Sequence, residues 1–330
     1  MLSGLFTLAA LAAPHTQGLS DTEFPLGDSL GEAAPIINGK VEDGFPAAVG
    51  VGAGGFTLCS ASLITPRLLL TAAHCSAALP VELVVAFGEA YFGTEASSPD
   101  HTVGFVDARV HPDYIPLSDN GANLGQYDLA VIQLSEDAPV EPVWPRLDLL
   151  DVEAEVGARV WSVGFGQDEN GGSGVKKSAK LTVDEIDDMF VISESQSNRN
   201  NANIRSGDSG GSQYFELEDG SLEQWAVHSW GDIGCVFNSG STRTDIAADW
   251  ILEQIEITHG TTDQCEIEGR YGDGVCDPDC DTEDIDCAPP PEPEALEEEA
   301  GGCNTTGSLP LGWLLVLPAL GLRRTPRRID

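Results

Sequence analysis

Basic residues are scarce in this chain. Lys and Arg number 16 against 54 Asp and Glu, for a formal charge of −38 over 330 residues. Such a surface repels polyphosphate, which excludes a nucleic-acid footprint, and no nucleic-acid partner is expected. A large share of the acid falls after residue 260, so the imbalance partly describes a tail. Long apolar runs are also lacking: the stretch from Leu309 to Leu322 contains Pro310 and Pro318 and falls short of the roughly 20 residues a membrane-spanning helix needs. Helical periodicity is rare as well. Short Val/Leu/Ile-rich runs such as "VELVVAF", "LAVIQL", "ARVWSVGF" and "QWAVHSW" recur between turn residues, so the pattern reads as all-β. The exception is "DIAADWILEQI", whose apolar residues return at helical spacing.

The ends of the chain read differently from its middle. Residues 1–12 form a short apolar run closed by Ala10 and Ala12, the pattern of a secretory signal peptide rather than an N-terminal strand or anchor. Residues 13–35 are small, polar and acidic, as in a propeptide. Export permits disulfides, so the eight cysteines are candidate bridges before they are candidate metal ligands. Residues 260–288 are dense in Cys, Asp and Gly, and residues 289–300, "PPPEPEALEEEA", form a stiff charged spacer. Residues 301–330 hold Gly302–Cys303, the apolar stretch and an arginine cluster. Together these resemble the tripartite sorting signals of bacterial surface proteins, the MYXO-CTERM type in particular. That resemblance implies Cys303 as the processing point, sorting machinery or the membrane as a partner, and retention at a cell surface or outer membrane. A plain C-terminal anchor is the alternative.

The chemistry-bearing stretches are "TAAHC", "YDLAVIQL" and "NIRSGDSGGS". A serine hydroxyl attacks nothing at neutral pH without a base, and only six histidines exist to supply one. His74 alone among them ends an apolar run beside a cysteine that could pin it, and two antiparallel strands could bring Cys59 to Cys75. Asp128 opens an apolar strand, where an isolated carboxylate is costly unless paired. Singly, these are a core histidine, a strand-edge aspartate and a glycine-rich turn.

Jointly and in this order they resemble the chymotrypsin/trypsin family of serine proteases over residues 36–259: "IING" resembles its mature amino terminus, "TAAHC" its histidine motif, "DLAVIQL" its aspartate strand, "GDSGG" its serine loop, "SWG" its substrate strand and "DWI" its last helix. The resemblance implies two antiparallel six-stranded β-barrels, a C-terminal helix, and a cleft between the barrels. It implies a Ser209 nucleophile, a His74 base, an orienting Asp128, and an oxyanion hole from the amides of Gly207 and Ser209. It implies a zymogen in which cleavage by an activating protease frees the amino group of Ile36 for Asp208, although Pro35 is unlike the Lys or Arg of the usual activation site. Peptide or protein substrates are expected, with no cofactor for catalysis. A protease homologue that binds without cutting is the alternative function.

Two departures matter. Cys59–Cys75 is the one family disulfide that persists, since Arg205 replaces the serine-loop cysteine and leaves Cys235 without its usual partner. The residues implied for the substrate pocket are Asn203, Ser206, His228, Ser229, Trp230 and Gly231. Asn203 stands where basic-specific members carry Asp, so a preference for Lys or Arg is not supported. His228, helped by Ser206, predicts a preference for Glu or Asp that weakens as pH rises through its titration; a neutral His228 packed on Trp230 in an apolar pocket is the other reading. The Cys/Asp-rich module loosely resembles small calcium-binding Notch-type repeats, which makes Asp277, Asp281, Asp284 and Asp286 candidate Ca2+ ligands; a metal-free disulfide knot is the alternative.

Overall fold

The computed structural model describes residues 36, 39–77, 79–118, 125–167, 172–198, 201–231, 238–278, 280 and 282–287. The signal peptide, the propeptide, Cys235, Asp281, the spacer and the 301–330 segment with Cys303 lie outside the described residues. Fourteen strands are assigned among those described: β1 Lys40–Val41, β2 Ala48–Ala53, β3 Phe56–Thr65, β4 Leu68–Thr71, β5 Glu89–Phe92, β6 His101–Val110, β7 Ala130–Leu134, β8 Arg159–Gly164, β9 Lys177–Thr182, β10 Glu185–Ile186, β11 Phe190–Glu194, β12 Ser212–Glu216, β13 Leu222–Gly231 and β14 Asn238–Arg243. The helices are α1 Ala73–Ala77, α2 Val81–Phe87, α3 Val152–Glu155, α4 Ala248–His259 and α5 Gln264–Glu268.

Strands of the first half close a six-stranded barrel in the order β2-β3-β4-β7-β6-β5. Alternate residues point inward, so Val49, Leu63, Leu69, Phe92, Val103, Ile132 and Leu134 meet in one apolar core. Full burial of each such side chain stabilises the fold by about 1.5–3 kcal/mol.

The second half is not the closed six-stranded barrel expected. It is an open eight-stranded sheet, β1-β9-β8-β12-β13-β14-β11-β10. At the end of β9, next to β11, the backbone groups of Thr182 are taken by side chains instead of a strand ladder. Thr182 N donates to Asn198 Oδ1 at 2.6 Å, and Thr182 O accepts from Ser193 Oγ at 2.7 Å.

"VELVVAF" is also corrected, from strand to helix α2. Pro80 fits a helix start, and its carbonyl accepts from Leu83 N and Val84 N at 2.9 and 3.2 Å. No residue of this segment is buried, so no sheet face waits for its branched side chains.

Helix α4 forms where the periodicity predicts. Trp250, Ile251 and Ile255 pack against Leu68, Leu70 and Val131 of the barrel and Val227 of β13, and Gly260, at φ 79°, ends the helix by donating to Glu256 O. The Cys/Asp-rich module follows, closed by Cys265–Cys280 and Cys276–Cys287, a connectivity the sequence left open. It seats on the first half through Ile267 and through the Trp144 indole N–H, which donates to Glu268. Among the described residues no helix is long and apolar enough to cross a membrane.

Candidate active site

His74 lies in α1, straight after β4. Asp128 lies two residues before β7, the strand paired with β4. That pairing brings them together: His74 Nδ1 and Asp128 Oδ2 are 2.7 Å apart, and His74 N donates to Asp128 Oδ1 at 2.9 Å. The disulfide Cys59–Cys75 forms beside them, as the resemblance implies. Burial alone pushes the Asp128 carboxyl upward, but the hydrogen bonds and charge of His74, with the hydroxyl of Ser229, hold it below the usual carboxylate range. A carboxylate on Nδ1 fixes the tautomer that leaves Nε2 free to accept a proton.

Ser209 reaches the same place from the other half. Its carbonyl accepts from Ser60 N on β3 at 2.8 Å, and Ser60 Oγ donates to Gly207 O at 3.1 Å. The next residue, Gly210, at φ 80°, lies so close to Thr71 and Ser60 that a Cβ would stand 2.1 Å from Thr71 Oγ1. Only glycine lets the serine turn press against the strand that leads into His74. Among the described residues no hydrogen bond joins His74 Nε2 to Ser209 Oγ; links of this kind tighten with substrate in many enzymes.

The turn leaves two donors free. Asp208 N donates to Arg205 O, Gly210 N to His228 O and Gly211 N to Asp208 O, whereas among the described residues the amides of Gly207 and Ser209 have no acceptor. Two unspent amides flanking one residue suit an oxygen that gains negative charge. Asp208 itself is fully buried and accepts from Ile36 N at 3.0 Å, Gly166 N at 2.9 Å and Arg205 N at 3.0 Å. Burial outweighs these bonds and pushes its carboxyl up to about 6. The Ile36 amide and the Asp208 carboxylate are thus hydrogen-bonded with residue 35 still attached.

The remaining pocket residues divide. β12 stops pairing with β13 at Ser212–Val227, while β14 continues to Gly231. The segment Ser229–Gly231 thus keeps one backbone edge for an extended peptide. Ser229 directs its hydroxyl to Asp128 Oδ2 at 2.6 Å and so supports the acid instead of lining the pocket. The Trp230 indole lies over Gly240, where a Cβ would stand 2.4 Å from the ring. Ser206 is exposed, and Asn203 is fully buried.

The expectation that His228 carries charge to a substrate carboxylate is corrected. The ring is fully buried, Nε2 lies 2.9 Å from Ser162 Oγ and Nδ1 3.0 Å from Ser241 Oγ. Loss of hydration pushes its pKa down to about 3, so the ring is neutral over the working range of pH. The other reading also needs amending, because two serine hydroxyls hold it.

Of the candidate calcium ligands, Asp284 and Asp286 hold backbone amides of their own module. Asp284 accepts from the amides of Asp277 at 3.0 Å, Asp286 at 3.2 Å and Gly272 at 3.5 Å, and Asp286 accepts from Gly274 N at 2.8 Å. Among the described residues the carboxylates of Asp277, Asp284 and Asp286 do not converge on a common point. Asp284 and Asp286 fasten the module's backbone to itself, and the Asp277 carboxylate lies 4.0 Å from Arg270 Nη1.

Sequence reading missed Ser60, Thr71, Ser162 and Ser241. Small hydroxyl residues inside strands leave no pattern; only their partners across the fold give them roles.

A sequence model of the family described as Trypsin matches residues 36–251. Among curated proteins, the chain is 26% identical over 230 residues to "Suppressor of tumorigenicity 14 protein homolog" of Bos taurus, covering 61% of this chain and 25% of that protein. It is 30% identical over 166 residues to "Phenoloxidase-activating factor 1" of Holotrichia diomphalia, covering 42% and 44%. With "CLIP domain-containing serine protease B10" of Anopheles gambiae it shares 28% over 233 residues, covering 60% and 61%. The chain thus spans from a quarter to about three fifths of the length of these relatives.

Proposed function

Because the match over residues 36–251 makes this chain a member of the trypsin family, we propose that it is a serine endopeptidase, exported, made as a zymogen and retained at a surface. The observation that carries the reading is the His74 Nδ1–Asp128 Oδ2 contact at 2.7 Å beside a serine turn with two free amides. Ser209 Oγ attacks the scissile carbonyl carbon as His74 Nε2 takes its proton. The Gly207 and Ser209 amides receive the oxyanion. The C–N bond then breaks as His74 passes the proton to the leaving amine, and water repeats the exchange to release the acid. Asp128 stays ionised and stabilises the imidazolium.

A fluorophosphonate probe tests this on protein whose first residue is verified as Ile36. Labelling confined to Ser209 and lost in Ser209→Ala is expected. Absence of label on that protein would mean a homologue that binds without cutting.

The zymogen reading rests on Asp208. A buried carboxyl pushed up to about 6 lacks a full counter-charge while Ile36 N is an amide. Cutting the Pro35–Ile36 bond supplies an ammonium, with an ordinary pKa of about 8. Pro35 implies an activating protease, or trimming, that does not need a basic residue there. Mass spectrometry of active protein should find Ile36 first, and full activity with residues 13–35 attached would overturn this step. Surface retention is assigned to residues 301–330 and Cys303; truncation after Ala300 should release active enzyme into the medium, and cell-bound truncated protein would refute it.

A further inference from the structure

Three consecutive backbone amides hold the serine turn from one side. Phe165 N donates to Ser60 Oγ at 2.9 Å, Gly166 N to Asp208 Oδ1 at 2.9 Å and Gln167 N to Ser206 O at 2.9 Å. Two of them reach the turn directly. The first arrives through the hydroxyl of Ser60, a residue of β3 in the first half that is only 1% exposed and so out of reach of a substrate.

The proton of that hydroxyl has one destination. An amide N–H only donates and a carbonyl only accepts, so the hydroxyl that receives Phe165 N must pass its own hydrogen to Gly207 O, 3.1 Å away. Ser60 N also donates to Ser209 O at 2.8 Å, and Ser60 O is itself held by Thr71 Oγ1 at 2.8 Å. One anchored residue thus grips both Gly207 and Ser209, the two whose amides are left free in the turn.

Gly207 depends on such a grip. It sits at φ 88°, and without a Cβ it has other backbone wells open to it. Its N–H shares a peptide plane with Ser206 O, which Gln167 N holds, while its carbonyl belongs to the next plane, which the Ser60 hydroxyl holds. With both planes pinned, the N–H between them keeps one direction. Fixed donors stabilise a developing charge more than donors that must first reorient.

We propose that Ser60 is a positioning residue for hydrolysis at Ser209: its hydroxyl fixes the Gly207 carbonyl and thereby aims the Gly207 amide at the oxygen that gains charge. The role rests on the endopeptidase reading and extends it to a side chain of the other half that touches no reacting atom.

The test compares a peptide oxoester with the matching thionoester, which carries sulfur in place of the attacked carbonyl oxygen. Sulfur is a weak acceptor, so only the oxoester draws much on the two amides. The protein carries a verified Ile36 terminus, and fluorophosphonate labelling of Ser209, run to completion, counts the active sites. Ser60→Ala should lower kcat/KM for the oxoester by about tenfold or more and for the thionoester by less than about threefold. Ser60→Gly, which also keeps the backbone N–H toward Ser209 O, should move the ratio the same way. A labelled enzyme of either variant that loses both substrates equally, or neither, overturns the proposal and leaves the endopeptidase standing. If neither variant shows a cooperative melting transition, the hydroxyl is a folding element and the proposal falls as well. Absence of label on the wild type overturns both readings.

Discussion

The two halves of this protein bury different chemistry. The closed barrel of the first half is filled by Leu63, Leu69, Phe92, Ile132 and their neighbours. The sheet of the second half also buries Ser162, Asn203, Gln213, His228, Ser241 and Thr242. Several of those polar atoms, on Asn203, Gln213 and Thr242, have no partner. The first half buries polar groups too, but Ser60, Ser62, Thr71 and Asp128 each have a hydrogen-bond partner; an interior that keeps unpaired polar atoms can recognise, and its buried His228 makes stability depend on pH. His74 and Asp128 need fixed geometry and come from the first half, whereas the serine turn and the pocket come from the second.

The contrast can be broken first where the halves touch. Asp128 is bonded by His74 from one side and Ser229 from the other. Asp128→Asn should lower kcat by on the order of 10^4-fold while leaving the melting temperature within a few degrees, as read by steady-state kinetics and calorimetry. Next in size is the barrel core. Leu69→Ala, at a fully buried position, should cost about 2–5 kcal/mol in denaturant titration.

The third prediction is a pH dependence. His228 has an ordinary pKa of 6.5 when unfolded and about 3 when folded. Between those values the unfolded chain binds a proton that the folded one refuses, so stability falls as pH falls. From pH 7 to pH 4 the loss from this group is on the order of 3 kcal/mol. His228→Val should flatten that slope in melts taken across the range; an unchanged slope would mean that the ring is not held neutral. The smallest effect has the opposite sign. Both side-chain amide atoms of Gln213 are buried and unpaired, so Gln213→Leu should stabilise by about 1 kcal/mol. A clear loss in the same denaturant assay would show that the amide has a partner after all.

The legibility of the sequence follows the same division. His74, Asp128 and Ser209 could be read because each sits in a local motif whose neighbours, Cys75, the "LAVIQL" strand and the glycines of "GDSGG", have one purpose each. Helix α4 could be read because its apolar spacing faces a real core. The open sheet could not, because the side chains of Asn198 and Ser193 that meet the backbone of Thr182 leave no periodic pattern. Helix α2 misled because branched residues suggest a strand, while the start at Pro80 and the absence of any face to cover decided otherwise. His228 lay at the expected position. Its charge was decided by burial, which appears only once β8 and β14 flank β13 and Ser162 and Ser241 close on the ring.

The short strand β1 has one more consequence. Lys40 and Val41 pair with Ser178 and Lys177, and Glu42 Oε2 accepts from Ser178 Oγ at 2.9 Å. Three residues separate Ile36 from that clasp. A terminus released by cutting before Ile36 is therefore on a short leash, and its meeting with Asp208 is an intramolecular capture at an effective concentration on the order of millimolar or above. If the chain is activated by that cut, as proposed, the capture has little room to reverse. An added free dipeptide that imitates the terminus would have to compete with that local concentration, and the leash would win.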